Sequence, residues 1–181
     1  GSNDKRNKIL NIDEINNGIK IQSLIEGEEQ CFSLNTTANH FADNALGALI
    51  VAKTLNCDLV KACESINAWS PGIGRGLTKK INSSEIGLIE LIDDGYNANP
   101  ASISAALNTL SKKNAKRRIA ILGDMKELGS SEIEYHKKIA TYADLYKLDC
   151  IHTVGPLMKC LHDILPEEKR GFHFKKSIDV V

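Results

Sequence analysis

The stretch from Asp93 to Pro100 holds the residue types best suited to chemistry on a polar ligand. It reads Asp-Asp-Gly-Tyr-Asn-Ala-Asn-Pro and ends an apolar segment, Gly87–Asp94, that is typical of a strand. A carboxylate at such a strand end commonly accepts hydrogen bonds from a ribose diol, or it orders the loop by accepting from backbone amides. Because adjacent strand residues point to opposite faces, Asp93 and Asp94 cannot both face one ligand from a regular strand. Both roles stay open for this acidic pair.

Three further polar residues follow in the same stretch. Tyr96 offers a flat ring and a hydroxyl that suit a base or a sugar, although a loop tyrosine packed on its own domain is commoner. Asn97 could hydrogen-bond a ligand or order its own loop. Asn99 has the type and position of a helix N-cap before Pro100, which favours a structural role.

A glycine-rich stretch, Ser70–Gly76, lies upstream. Three glycines and one proline in seven residues break any regular element and predict a linker or hinge. It resembles a phosphate loop only superficially, because no strand precedes it and no helix follows it. Arg75 is its one charged residue, and it could either reach a phosphate from the hinge or be a solvated linker charge.

A second strand-end loop, Gly123–Gly129, reads Gly-Asp-Met-Lys-Glu-Leu-Gly. Its terminal glycines permit tight backbone paths, and Asp124 and Glu127 are predicted to bond backbone amides there. No Gly-x-Gly-x-x-Gly follows any of the predicted strands, which argues against a dinucleotide site of the usual kind.

The predicted secondary structure differs on the two sides of the Ser70–Gly76 linker. Before it we predict a hairpin over Ile19–Ile25 and Gln30–Leu34, then helices over His40–Leu55 and Leu59–Trp69, the second capped by Asp58. After it the chain alternates strand and helix, which predicts an α/β fold with a parallel sheet and right-handed crossovers. The predicted strands are Gly87–Asp94, Arg117–Leu122 and Asp149–Val154, and the helices start at Pro100, at a Ser131–Glu134 capping box (running to about Tyr146) and at Leu157.

Composition excludes several classes of protein. The 181 residues carry 23 Lys and Arg against 23 Asp and Glu, and a net charge of zero argues against nucleic-acid or anionic-membrane partners. The longest apolar run, Ala45–Ala52, is too short to span a bilayer. Five cysteines without a Cys-x-x-Cys predict reduced thiols rather than disulfides, and the five scattered histidines predict no metal site.

The two loop motifs together resemble those of the Mur ligase family. The resemblance is carried by Asp93–Pro100 and by Ile121–Gly129, with His136 after the second motif. Upstream, His40 and the Asn44–Ala48 segment are similar to the helix that ends the family's central ATPase domain. The resemblance runs from about residue 18 to the end of the sequence.

The resemblance implies a fold and a role for five residues. The fold is a Rossmann-like parallel-sheet domain, preceded by the hairpin and helices that end a central ATP-binding domain, with the boundary between residues 74 and 75. Asn44 would lie against the adenine of ATP, and Arg75 would approach the phosphates on domain closure. Asp94 would accept from the ribose hydroxyls, with Tyr96 and Asn97 lining the same nucleotide edge.

The implied activity is that of a cytoplasmic bacterial enzyme of peptidoglycan synthesis. It is an ATP-dependent amide-bond ligase that adds D-alanyl-D-alanine to UDP-MurNAc-tripeptide through an acyl phosphate. The resemblance also implies that the UDP-binding domain, the phosphate loop and the Mg²⁺ ligands lie outside this sequence. We therefore expect a fragment with no catalytic residue of its own and no activity alone. A receiver-like signalling domain, with Asp124 as phosphate acceptor, and a free-standing nucleotide-binding module are the alternatives.

Overall fold

The computed structural model describes residues 5–16 and 18–180. The chain divides into two compact units, Gly1–Asp93 and Asp94–Val181. The first contains β1 (Lys8–Ile15), β2 (Gly18–Ile25), β3 (Glu28–Leu34), α1 (His40–Thr54), α2 (Leu59–Asn67), β4 (Leu77–Ser83) and β5 (Gly87–Asp93). The second contains α3 (Pro100–Ser111), β6 (Ile119–Gly123), α4 (Glu132–Lys138), β7 (Cys150–Val154), α5 (Lys159–Ile164) and β8 (Arg170–Phe174).

The predicted domain boundary between residues 74 and 75 lies earlier in the chain than the division into units. The difference arises because β4 and β5 belong to the first unit. The assignment of residues 1–74 and 75–181 to two domains of a ligase stays a prediction.

The first unit is built on an antiparallel sheet with the strand order β1–β2–β3. The predicted hairpin is confirmed, with Ile21 opposite Phe32 in the β2–β3 register. Alternate residues of β2 are buried, as expected for a strand with one face on a core. Strand β1 is absent from the predicted elements because its side chains are mostly exposed and its sequence lacks an apolar alternation.

Helices α1 and α2 bury their apolar faces against this sheet. The core includes Ile21 and Phe32 from the sheet, Leu49 from α1 and Cys63 from α2. The predicted cap of α2 is confirmed: Asp58 Oδ1 accepts from the amides of the second and third helical residues at 3.0 and 3.2 Å. The helix ends at Asn67, two residues before the predicted end.

The predicted place of the strand Gly87–Asp94 in the parallel sheet is wrong. Residues Gly87–Asp93 pair instead with the unpredicted β4 as an antiparallel hairpin, a separate two-stranded sheet in which Ile81 lies opposite Ile89. Ser83 closes its turn, since its Oγ accepts from the amides of Glu85 and Ile86. An apolar run specifies that a segment favours a strand, but the pairing partner depends on contacts distant in sequence.

The second unit contains the predicted parallel sheet, with the strand order β6–β7–β8. Ala120 of β6 lies beside Ile151 of β7, and both side chains face the helical layer. Leu107 of α3 and Leu161 of α5 pack into the same core. The α/β fold class is therefore confirmed, with a Rossmann-like parallel sheet in the second unit.

Of the two helix caps predicted in this unit, one is confirmed and one is wrong. Asn99 caps α3 as predicted: its Oδ1 accepts from the Ser102 amide at 2.9 Å, and Ser102 Oγ accepts from the Asn99 amide at 3.0 Å. The capping box predicted at Ser131 is wrong, because Ser131 ends a 3-10 turn and its side chain makes no cap hydrogen bond. The helix that follows ends at Lys138, before the predicted end near Tyr146, and passes into further 3-10 turns.

Helix length also bears on membrane crossing. The longest helix, α1, has 15 residues. Within the described ranges, none of the helices combines the length and the apolar character that a bilayer crossing requires.

Candidate functional site

Asp93 closes β5 and holds the glycine-rich linker in place. Its Oδ2 accepts a hydrogen bond from the Gly74 amide at 3.2 Å, and its backbone carbonyl accepts from the Gly76 amide at 2.8 Å. Of the two roles open to the acidic pair, Asp93 thus has the loop-ordering one.

Arg75 lies at the middle of the turn that Asp93 holds. Gly74 and Gly76 adopt positive φ angles of 74° and 85°, which residues with a Cβ rarely take. The Arg75 amide donates to the Gly72 carbonyl at 3.0 Å. Gly74 is buried whereas Arg75 is exposed. The turn therefore has a backbone fixed on both sides and carries a cationic side chain at the surface.

Three aromatic residues of the same unit, His40, Phe41 and Trp69, form what we call the aromatic cluster. The Phe41 ring centroid lies 4.2 Å from that of His40 and 5.0 Å from that of Trp69. A Cβ built on Gly76 would lie 3.5 Å from the Phe41 ring, so the linker turn packs directly against the cluster. Trp69 exposes 39% of its surface. The cluster therefore offers part of its aromatic surface for stacking with a planar ring.

Asn44 extends this surface along α1. It follows His40 by four residues and Phe41 by three, and residues at these spacings share one face of a helix. Its exposed amide group has both donors and an acceptor, which suits the polar edge of a planar ring. The first unit therefore places Asn44 and the Arg75 turn next to the same aromatic cluster.

Asp94, Tyr96 and Asn97 lie in the second unit, in the exposed loop before α3. Tyr96 exposes 69% of its surface, so it is not packed into the core of its unit. Asn97 Oδ1 accepts from the Ala98 amide at 2.9 Å, which orders the loop locally. The predicted site residues thus form two groups, one in each unit.

The Gly123–Gly129 loop is organised around a carboxylate that is already engaged. Asp124 Oδ1 accepts from the Met158 amide at 2.7 Å, and Oδ2 accepts from the Leu157 amide at 3.3 Å. A Cβ on Gly155 would collide with this carboxylate. The predicted structural role of Asp124 is confirmed. Both oxygens of Asp124 bond backbone amides, which argues against Asp124 as the phosphate acceptor of a receiver-like domain.

His136 supports the same loop from inside the second unit. Its ring is fully buried, Nε2 accepts from the Met125 amide at 2.9 Å, and Nδ1 lies 2.6 Å from the Glu132 carbonyl. Because Nε2 accepts, Nδ1 carries the hydrogen that is donated to Glu132. Residue-level reasoning assigned His136 no role, since its contacts are visible only in the fold.

The aromatic cluster is the other feature that the sequence reasoning missed. Its sequence signal was weak: the only tryptophan of the chain stands directly before the Ser70–Gly76 linker. Nothing in the spacing of Phe41 and Trp69 predicts that their rings meet. As for metals, among residues 5–16 and 18–180 no group of three or more His, Cys, Asp or Glu could hold an ion.

Comparison with known proteins gives one matching family model, described as Mur ligase, glutamate ligase domain, over residues 81–179. This range begins within β4 and includes both loop motifs.

Relatives similar to the chain are UDP-N-acetylmuramoyl-tripeptide--D-alanyl-D-alanine ligases. The Haemophilus influenzae ligase is 30% identical over 78% of the chain and 29% of its own length. The Buchnera aphidicola ligase is 29% identical over 94% of the chain and 35% of its own length. The chain thus spans about a third of the relatives it matches.

Solved structures are similar to the chain in fold. A crystal structure of MurF from Acinetobacter baumannii matches with a TM-score of 0.76 and 24% identity, covering 95% of this chain and 36% of that one. The MurF ligase from Thermotoga maritima, solved in complex with ADP, matches with a TM-score of 0.70 and 18% identity, covering 95% and 43%. At these identities the likeness concerns the fold.

Proposed function

The chain belongs to the Mur ligase family, and on that premise we propose that it is part of an ATP-dependent amide-bond ligase of peptidoglycan synthesis. The enzyme adds D-alanyl-D-alanine to UDP-MurNAc-tripeptide. The observation that carries the proposal is the family match over residues 81–179, which contains both the Tyr96–Pro100 and the Gly123–Gly129 motifs. The names of the curated relatives support the choice of these substrates.

The proposed reaction has two steps. The terminal carboxylate of the tripeptide takes the γ-phosphoryl group of ATP, which converts a poor leaving oxygen into an acyl phosphate and releases ADP. The amine of D-alanyl-D-alanine then attacks the acyl carbon, the C–N bond forms and phosphate leaves. Negative charge accumulates on oxygens in both steps, so cationic side chains and Mg²⁺ must be placed in advance. We propose that Arg75 supplies one such cation, and we expect the Mg²⁺ ligands outside this chain.

In the first unit we propose that the aromatic cluster and Asn44 bind adenine. The cluster supplies a stacking surface and Asn44 supplies hydrogen bonds to the base edge. The turn at Gly74–Gly76 supports this assignment, since Asp93 fixes its backbone by a hydrogen bond and Gly76 packs against Phe41 of the cluster. Arg75 would then meet the phosphates of the same nucleotide.

In the second unit we propose that Asp94 accepts hydrogen bonds from the ribose hydroxyls. Its exposure, and that of Tyr96, supports a role at a ligand surface rather than in the core. Asn97 would line the same edge of the nucleotide. Because ATP and UDP-linked precursors are cytoplasmic, we place the enzyme in the bacterial cytoplasm.

The sole tryptophan makes the nucleotide site testable. We expect ATP or ADP to quench the fluorescence of Trp69 in the purified chain, with millimolar affinity because only part of the site is present. Asn44→Ala should weaken this binding by about tenfold, and Asp43→Ala, a neighbouring exposed residue on α1, should not change it. An unchanged Trp69 signal at saturating nucleotide would contradict the proposed adenine site.

The substrate class has its own test. Saturation-transfer NMR with the purified chain and ADP should show contact for D-alanyl-D-alanine and none for L-alanyl-L-alanine. Equal transfer to the two dipeptides would contradict the proposed dipeptide substrate, and transfer to neither would mean that the residues binding the dipeptide lie outside this chain. With ATP, tripeptide and dipeptide together we expect no turnover, and sustained phosphate release would contradict the expectation that this chain is inactive alone.

A further inference from the structure

Strand β6 borders the parallel sheet of the second unit. Among the described strands it pairs only with β7, so one of its edges has no strand partner there. Its sequence, Ile-Ala-Ile-Leu-Gly, contains no charged residue and no proline. The other strands that border the described sheets each carry a charged side chain, such as Lys79 in β4 or Arg170 in β8. Charged residues and prolines are common means of keeping an edge strand from pairing with another chain, and β6 has neither.

The backbone groups that point to this edge follow from the ladder with β7. Cys150 lies beside Ile119 in the parallel register, and its amide donates to the Arg118 carbonyl at 3.4 Å. Alternate residues of a strand bond the same neighbour, so Ala120 and Leu122 direct their amides and carbonyls to β7 as well. The residues between them direct theirs to the open edge: Ile119, Ile121 and Gly123.

A second copy of the same strand fits these groups. Two identical edges related by a two-fold axis pair antiparallel, with one residue opposite its own copy. When that residue is Ile121, Ile119 lies opposite Gly123 at both ends of the strand. In such pairs the two residues exchange both of their backbone hydrogen bonds. This register therefore gives a partner to every amide and carbonyl that β6 directs to the open edge.

The side chains are compatible with the same register. Ala120 is 6% exposed and faces the helical core, so Ile119 and Ile121 lie on the opposite face of the sheet, where they expose 42% and 55% of their surfaces. A two-fold axis perpendicular to the sheet brings the Ile121 side chains of the two copies together and buries apolar surface. Arg118 and Asp124 directly flank the strand, and each lies opposite the residue of opposite charge in the other copy.

We propose that two copies of this chain associate through their β6 edges, antiparallel and centred on Ile121, to form one continuous sheet. Each copy contributes a strand of five residues. A contact of this size is small, so we expect a weak dimer with a dissociation constant of about 50 µM. The inference is independent of the proposed ligase function, which gives β6 no role.

Sedimentation equilibrium of the purified chain tests the association, with a reductant present to exclude disulfide-linked dimers. From about 1 µM to about 500 µM protein, the molar mass should rise from 19.8 kDa toward twice that value. Ile121→Lys should weaken the dimer at least tenfold, since two ammonium groups would face each other across the axis. Phe172→Lys, at an apolar residue of β8 that is 71% exposed, is the matched control and should leave the dimer unchanged.

Hydrogen exchange followed by NMR tests the register in the wild-type chain, and it decides the matter even if Ile121→Lys does not fold. The Ile119, Ile121 and Gly123 amides should become protected as the protein concentration rises. The Ala120 and Leu122 amides, which bond β7, should be protected at every concentration. A chain that stays monomeric throughout, a dimer that Phe172→Lys disrupts and Ile121→Lys does not, or a dimer without this alternating protection would each overturn the inference.

Discussion

Two loops of this chain begin alike and are used differently. Both the loop after Asp93 and the Gly123–Gly129 loop follow an apolar strand and carry an aspartate at or near its end. In the first, Asp94 and Tyr96 are exposed. In the second, the Asp124 carboxylate bonds two backbone amides. An acidic strand end is therefore no measure of ligand binding until its hydrogen-bond partners are known.

The same contrast holds for the polar groups around each loop. His136 lies fully buried beneath the second loop, with both ring nitrogens engaged. Before the first loop, the carboxylate of Asp93 serves the linker turn through the Gly74 amide. The second loop is thus a structural clamp, and the first leaves side chains of the second unit at the surface.

The largest loss of stability is expected for His136→Ala, at the buried histidine beneath the Gly123–Gly129 loop. The change removes a buried ring and leaves the Met125 amide without its acceptor, which should lower the free energy of unfolding by about 3 kcal/mol. Urea denaturation measures the loss, and hydrogen exchange at Met125 reports it locally. Lys138→Ala, at an exposed residue of the same helix, is the control for stability. A loss below about 1 kcal/mol would contradict the clamp.

A loss of about 2 kcal/mol is expected for Asp124→Ala, because two hydrogen bonds to an ionised acceptor disappear. Faster hydrogen exchange at the Met158 amide should accompany it. Asp43→Ala, at an exposed aspartate of α1, should cost far less. If both variants have the same stability as the wild type, the Asp124 carboxylate does not stabilise its loop, and the proposed difference between the two loops is wrong.

Acid should weaken the second unit through His162. Burial lowers the pKa of this histidine, and the charges of His173, Lys159 and Arg170 lower it further. The unfolded chain therefore binds the proton more readily, so the contribution of His162 is complete above the ordinary pKa of 6.5 and is lost as pH falls through the lower folded value. Its buried Nδ1 has no hydrogen-bond partner, unlike the nitrogens of His136.

The measurement is the urea midpoint of the wild type and of His162→Gln between pH 7.5 and pH 5. The variant should lose less stability over this range. A parallel decline in the two proteins would show that His162 does not cause the acid sensitivity.

The smallest effect on stability is expected for Asp94→Ala, at most about 0.5 kcal/mol, because the residue is exposed. The same change should weaken nucleotide binding severalfold if the proposed ribose contact exists. Denaturation and Trp69 fluorescence measure the two quantities on one preparation. A large loss of stability with unchanged nucleotide binding would show that Asp94, like Asp124, has a structural role.

Three predictions from local signals in the sequence are confirmed. The β2–β3 hairpin and the caps by Asp58 and Asn99 depend on residues a few positions apart, so their chemistry is visible in the sequence. The capping box at Ser131 was wrong, because a 3-10 turn precedes α4 and takes up that residue. Spacing alone does not distinguish these outcomes.

The candidate site was predictable only in part. The five proposed residues came from a family resemblance, and they stay proposals. The aromatic cluster could not be predicted, because Phe41 and Trp69 meet only when α1 and the end of α2 pack together. The pairing of β5 with β4 rather than with the parallel sheet has the same origin, since a strand's partner is chosen by contacts distant in sequence.

By itself the sequence determined the identity of the strand-end loops, the helix caps at Asp58 and Asn99, and the α/β alternation of the second half. These follow from side-chain chemistry and periodicity within a few residues. Only the tertiary structure decided which backbone amides the Asp93 and Asp124 carboxylates bond, and that the rings of Phe41 and Trp69 meet. Hydrogen bonds and close contacts between distant segments depend on how elements pack, and no local pattern encodes that packing.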